Sequence, residues 1–126
     1  MNMATLFQFG NDGSRTLRSE IGEEPVVVGR SGQAKVSVAD EGVSRRHFVI
    51  LREDDGYVIR DLSSRNGTWV DGRRVFAERL HHNDWILAGH TLFLFADRLA
   101  TSTTPGKSQA GPHGTVMLDA LRPALA

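Results

Sequence analysis

The chain has 126 residues, no cysteine, and 15 basic against 15 acidic side chains. That length suits one domain around one core, the missing cysteines exclude disulfides, thiolate metal sites and thiol nucleophiles, and the balanced charge argues against a basic coat for nucleic acid. No apolar run approaches the roughly 20 residues that span a bilayer, and residues 1–9 lack a basic stretch followed by an apolar one, so neither a membrane nor a signal peptide is expected and the location expected is cytoplasmic.

In chain order, Leu6-Phe7-Gln8-Phe9 reads as a strand that ends at the turn Gly10-Asn11-Asp12-Gly13. Thr16-Leu17-Arg18 returns beside it. Pro25-Val26-Val27-Val28 is β-branched after a proline tolerated at a strand start. Val36-Ser37-Val38 alternates, and so do residues 48–52, with Phe48 and Ile50 on one face. Asp54-Asp55-Gly56 is a hairpin turn into residues 57–61. Thr68-Trp69-Val70 runs into Asp71-Gly72, a two-residue hairpin signal. Trp85-Ile86-Leu87 and residues 91–95 flank Ala88-Gly89-His90. Many short strands at close spacing, with no helical period between them, predict an all-β fold, an antiparallel β-sandwich over residues 4–97. After Leu99 the composition turns to Thr, Ser, Pro, Gly and Gln, which reads as a flexible tail over 98–126. Within it, residues 115–122 have the pattern of about two helical turns with Thr115 as cap, too short to be stable alone.

Three polar clusters follow apolar runs: Gly29-Arg30, Ser44-Arg45-Arg46-His47, and Ser63-Ser64-Arg65-Asn66-Gly67-Thr68. They supply guanidinium groups, hydroxyls and turn residues, with no carboxylate beside a nucleophile. This is chemistry for holding an anion. A phosphorylated threonine brings about −1.5 to −2 charges and three acceptor oxygens, and several converging donors, one or more of them cationic, would hold it. Asn66-Gly67 also tolerates the positive φ of a tight turn.

The ordered set Gly29-Arg30, Ser44-x-x-His47, Asp61-Leu62-x-Ser64-x-Asn66-Gly67-Thr68 and Asp84-x-Ile86 resembles the forkhead-associated (FHA) domain, a phosphothreonine-binding module with a SMAD/FHA-like sandwich. The resemblance covers about residues 26–95. It implies that Arg30 and Ser44 bind phosphate oxygens, that Arg45 and Ser64 add phosphate contacts, and that Arg65 selects peptide side chains. It implies that Asn66 hydrogen-bonds the peptide backbone and that Gly29, His47, Gly67 and Thr68 shape the loops, His47 by holding that of Ser44. Asp71-Gly72 and His82-Asn83-Asp84 stand where the family often has Asn-Gly and a Gly-Asp turn. The implied partner is a protein phosphorylated on threonine by a Ser/Thr kinase, with no cofactor and no catalysis.

Other readings of the same residues are weaker. His47 with Ser44 would make a base and nucleophile, but no acid orients the histidine. His81-His82 suggests a metal, yet neighbours on a strand face opposite ways and no third ligand has matching spacing. Gly29-Arg30-Ser31-Gly32 lacks the lysine and helix of a P-loop. Trp69 and Trp85, as aromatics in strands, are expected in the core. A phospho-independent scaffold or oligomerisation domain is the alternative function. A phosphorylated tail threonine, Thr115 first among them, would let the chain bind itself or a neighbouring copy.

Overall fold

The computed structural model describes residues 4–10 and 13–97. The tail threonines and the helix expected over 115–122 lie outside them. The described residues form eleven strands: β1 (Ala4–Phe9), β2 (Arg15–Ile21), β3 (Val26–Gly29), β4 (Val36–Ser37), β5 (Phe48–Glu53), β6 (Gly56–Asp61), β7 (Thr68–Val70), β8 (Arg73–Val75), β9 (Ala77–Leu80), β10 (Asp84–Ala88) and β11 (Thr91–Ala96). They make a six-stranded sheet in the order β2-β1-β11-β10-β7-β8 and a five-stranded sheet in the order β4-β3-β5-β6-β9.

The period-two pattern sets the two layers. Leu6, Ile86, Phe93 and Phe95 point inward from the larger sheet, and Val26, Val28, Phe48, Ile50, Tyr57 and Ile59 from the smaller; all are buried. Phe48 meets Phe93 edge-on at 5.6 Å, and Tyr57 meets Phe95 at the same distance. These contacts join the layers, as inner faces do in a sandwich. The Tyr57 hydroxyl donates to the Ile21 carbonyl at 3.1 Å, so the phenol enters the core with its polar end satisfied.

The expected hairpins form where turn chemistry asked for them. Asp71 and Gly72 both adopt positive φ, 50° and 86°, and join β7 to β8. Asp54 does the same, at 55°, between β5 and β6. Three features differ from expectation. The β3–β4 pair is parallel, Val28 beside Val36, because β4 is a two-residue contact made as residues 30–35 loop out and return. Strand β9 was not legible: Ala77-Glu78-Arg79-Leu80 has no β-branched residue, and pairing with β6 at the sheet edge supplies its order. Trp69 and Trp85 are outside the core. Thr68 and Val70 are buried, so the side chain between them must face out, and Trp85 lies between buried Asp84 and Ile86 in the same way.

One end of the sandwich gathers the three clusters. β3 ends there at Gly29, β5 begins there after His47, and β6 ends and β7 begins on either side of the third cluster. The turns after β1 and β10 lie at the same end, because Phe9 pairs with Leu92 and Ala88 with Thr91.

Candidate phosphate-binding site

The first two clusters are stitched together through the main chain. The Arg30 amide donates to the Ser44 carbonyl at 2.9 Å, and the Ser31 amide to the Arg45 carbonyl at 3.1 Å. Gly29 makes this approach possible. A Cβ there would stand 2.0 Å from the Arg45 carbonyl oxygen and 2.9 Å from the Arg46 Cα, inside any allowed contact. The Arg30 Nε–H donates to the Val43 carbonyl at 3.0 Å. That bond holds the guanidinium beside the Val43-Ser44 peptide and leaves its two Nη groups for other acceptors.

His47, fully buried, joins the second cluster to the third. Its Nδ1 accepts the Ser44 amide at 3.0 Å, which makes Nε2 the protonated nitrogen of the neutral ring, and Nε2–H donates to the Gly67 carbonyl at 2.8 Å. Both ring nitrogens are thus committed to the loops. The structure gives this histidine no nucleophile to activate.

The third loop is built around Asp61. The Ser64 amide donates to its Oδ2 at 3.0 Å, the Ser64 hydroxyl donates to Oδ1, and the Thr68 hydroxyl reaches Oδ1 at 2.7 Å. Burial alone would raise the Asp61 carboxyl. The hydroxyls of Ser64 and Thr68 and the Ser64 amide together outweigh it and hold the carboxyl below the usual carboxylate range. Ser64 also accepts the Gly67 amide at 3.0 Å and is only 8% exposed. Its hydroxyl, expected at the phosphate, is inside the loop. Thr68 is buried beside it. Gly67, at φ 87°, makes the turn.

Ser44 differs from Ser64. It is partly exposed, and its Oγ accepts the Arg65 amide at 2.9 Å, which leaves the hydroxyl hydrogen with no acceptor among the described residues. Asn66 is exposed and donates from Nδ2 to the Gly42 carbonyl at 2.8 Å. Arg45, Arg46 and Arg65 have exposed side chains around this edge. The folded chain therefore brings Arg30, Ser44, Arg45, Arg65 and Asn66 to one rim, with Gly29, His47, Ser64, Gly67 and Thr68 beneath it. Among the described residues no group of histidines and carboxylates is placed to hold a metal ion.

Two contributors were given no role from the sequence. Asp61 stands in the ordered set and could have been given one, because a carboxylate three residues before a serine is a common local cap. Arg74 could not: it comes to Gly67 only because β8 pairs with β7, and its Nε would stand 2.8 Å from a Cβ at Gly67.

The family model for the FHA domain matches residues 26–89, which span all three clusters. This chain belongs to the FHA-domain family. It is 35% identical over 81 residues to the ABC transporter ATP-binding/permease protein Rv1747 of Mycobacterium tuberculosis, covering 64% of this chain and 9% of that protein. It is 33% identical over 85 residues to the oxoglutarate dehydrogenase inhibitor of Corynebacterium jeikeium, covering 68% of this chain and 57% of that protein. The match thus accounts for part of each relative, and the chain spans 9% of the first and 57% of the second. Among solved structures, an FHA domain from a structural and functional analysis of phosphothreonine-dependent FHA domain interactions superposes with a TM-score of 0.68 at 30% identity, covering 75% of this chain and 95% of that one. The FhaA FHA domain, solved in complex with the intracellular domain of Rv3910, superposes at 0.64 with 30% identity, covering 73% and 98%.

Proposed function

We propose that this chain is a phosphothreonine reader that joins a Ser/Thr kinase to the assembly of its phosphorylated product with the protein that carries this domain. The observation that carries the reading is the pairing of Arg30 with Ser44. Two donors of different chemistry, one charged and one a hydroxyl, are held side by side by main-chain bonds and by buried His47. Such a pair is ready for a phosphate before the ligand arrives, which lowers the cost of ordering it on binding. The related domain studied for phosphothreonine-dependent interactions supports the same ligand.

In this reading Arg30 and Ser44 contact phosphate oxygens and Arg45 adds charge from the adjacent position. Asn66 Oδ1 accepts a backbone N–H of the peptide, and Arg65 meets a side chain beyond the phosphothreonine. Ser64 acts by shaping its loop. The module covers residues 4–97, works in the cytoplasm, and binds its ligand without turning it over. A phosphorylated Thr115 on a second copy would be one ligand of the same kind.

Calorimetric titration with a threonine-phosphorylated peptide, its serine counterpart and the unphosphorylated peptide tests the reading. Binding of the phosphothreonine peptide alone supports it. Equal affinity for the unphosphorylated peptide sinks it in favour of a phospho-independent scaffold.

A further inference from the structure

The turn at Asn66-Gly67 rests on the β7–β8 hairpin. The Trp69 indole N–H donates to the Asn66 carbonyl at 3.3 Å, and Arg74 stands opposite Trp69 in the strand register. Cross-strand partners share a face, so Arg74 rises from the outward side of β8 toward the same turn. Its Nε would stand 2.8 Å, and its Cζ 3.1 Å, from a Cβ at Gly67. The missing side chain is what lets the guanidinium lie against that main chain. Cζ also sits over the Phe76 ring, 5.3 Å from its centroid and within cation–π range.

Phe76 is an exposed support. At 67% it is the most exposed large apolar side chain among the described residues. Val75 before it is buried, so the ring points outward. Its carbonyl accepts the Asp61 amide at 2.9 Å, which ties it to the residue around which the third loop is built. The guanidinium is therefore packed on two fixed supports, the Gly67 main chain and the Phe76 ring. Arg74 is itself exposed, and among the described residues its guanidinium has no hydrogen bond and no carboxylate partner. By contrast, Arg73 is paired with Glu78, and Arg18 with Glu20. A cation whose position is set by packing, and whose donors are left over, is complementary to an anion.

We propose, on the phosphothreonine reading on which this rests, that Arg74 takes an acidic group of the bound peptide, a carboxylate or a second phosphate, one step beyond the side chain that Arg65 meets. The path follows the third loop. Ser44 Oγ lies 2.9 Å from the Arg65 amide, and Gly67 follows two residues later. Two Cα steps of about 3.8 Å and the guanidinium contact bring the whole span to roughly 10–15 Å, which an extended peptide covers in about four residues. The acidic group thus belongs about four positions after the phosphothreonine. Exposed Arg45, Arg46 and Arg65 on the same rim add to the positive field there, although the whole chain has no net charge.

Calorimetric titration of the full chain tests this with three phosphothreonine peptides. They carry alanine, glutamate or phosphoserine at the fourth position after the phosphothreonine. Each is measured against the parent, Arg74→Gln and Arg73→Gln. The glutamate peptide is expected to bind the parent about three- to fivefold more tightly than the alanine peptide, the upper range of an exposed ion pair. The phosphoserine peptide should gain about tenfold, having more charge and more acceptor oxygens. Arg74→Gln should bind all three alike, at the parent's affinity for the alanine peptide. Arg73→Gln makes the same charge change at the neighbouring position, whose side chain points to the other face, and should keep the parent's preference. A gain with phosphoserine alone also supports the contact and assigns it to a second phosphorylated residue. No gain with either acidic peptide in the parent overturns the proposal. So does a gain that survives Arg74→Gln or disappears in Arg73→Gln. An equal loss for all three peptides in Arg74→Gln overturns it as well, because Arg74 would then only shape the turn. If the parent binds none of the peptides, the phosphothreonine reading itself fails, and this contact with it.

Discussion

The amide of Arg30 donates to the carbonyl of Ser44 at 2.9 Å, so two residues fourteen positions apart in sequence share one backbone bond at the rim of the sandwich. The bond does not depend on either side chain. Substituting those side chains therefore tests ligand contact with the frame kept in place.

Arg30→Ala should weaken phosphothreonine-peptide binding by about 1.5–3 kcal/mol, the worth of a hydrogen bond to a charged group, or roughly 10- to 150-fold in Kd. Arg30→Lys should recover little of this. An ammonium keeps the charge but loses the fork that reaches the Val43 carbonyl and a phosphate together. Calorimetry measures both, and a urea midpoint unchanged from the parent would separate lost contact from lost fold.

Ser44→Ala should cost a similar factor in affinity and carry a second signature. The Ser44 oxygen accepts the Arg65 amide, so the substitution also frees the third loop at that point. Hydrogen exchange should accelerate at the Arg65 amide in the ligand-free protein. Exchange there at the parent rate would mean that the bond does not order the loop.

Gly29→Ala should damage the site without removing any group that touches a ligand. A methyl at Gly29 meets the carbonyl of Arg45 and the Cα of Arg46, and backbone cannot swing aside as a flexible side chain does. The loop of Ser44 must move. We expect a loss of about 1–3 kcal/mol in stability, the usual scale of an overpacked site, and a fall in affinity at least as large as for Ser44→Ala. Normal affinity in a stable Gly29→Ala protein would show that the two loops need not touch.

Acid should weaken the fold through Asp61 and Asp40. Burial raises the Asp40 carboxyl, but bonds from the Thr91 hydroxyl, the Gly42 and His90 amides and the His90 ring outweigh it and hold it below the usual range. Asp61 is held low in the same sense. A carboxyl with a lower pKa folded than unfolded binds more protons when unfolded, so stability rises with pH where it titrates. The contribution is complete above the ordinary value of 3.8 and is lost as pH falls through the depressed folded values. Urea unfolding followed downward from neutral pH should show a plateau and then a decline in that acidic window. For Asp61→Ala the decline should be shallower and the plateau lower, because Ser64 and Thr68 lose their shared acceptor.

Much of this arrangement was legible without coordinates. Strands β5 and β6 announce themselves by alternation across a turn, and Asp71-Gly72 by the positive φ that its residues tolerate. The clusters around Arg30, Ser44 and Asn66 stand out because polar residues interrupt apolar runs at strand ends. Less was visible where order comes from a neighbour. β9 has no strand propensity of its own and borrows its geometry from β6. Trp69 and Trp85 suggested core by residue type, and only the burial of Thr68, Val70, Asp84 and Ile86 around them turned them outward.

The two serines mark the boundary between what sequence and tertiary structure each decide. Residue order by itself determined the all-β class, the strand ends, and the anion-binding character of the loops, because alternation, turn chemistry and charge are local properties. It could not determine which hydroxyl is left for a ligand. Ser44 and Ser64 have the same side chain and stand in similar polar clusters. Folding surrounds one with Asp61 and the Gly67 amide and leaves the other at an open rim beside Arg30. A hydroxyl has one proton to donate. Which acceptor receives it depends on distances between loops that only the packing of two sheets can set.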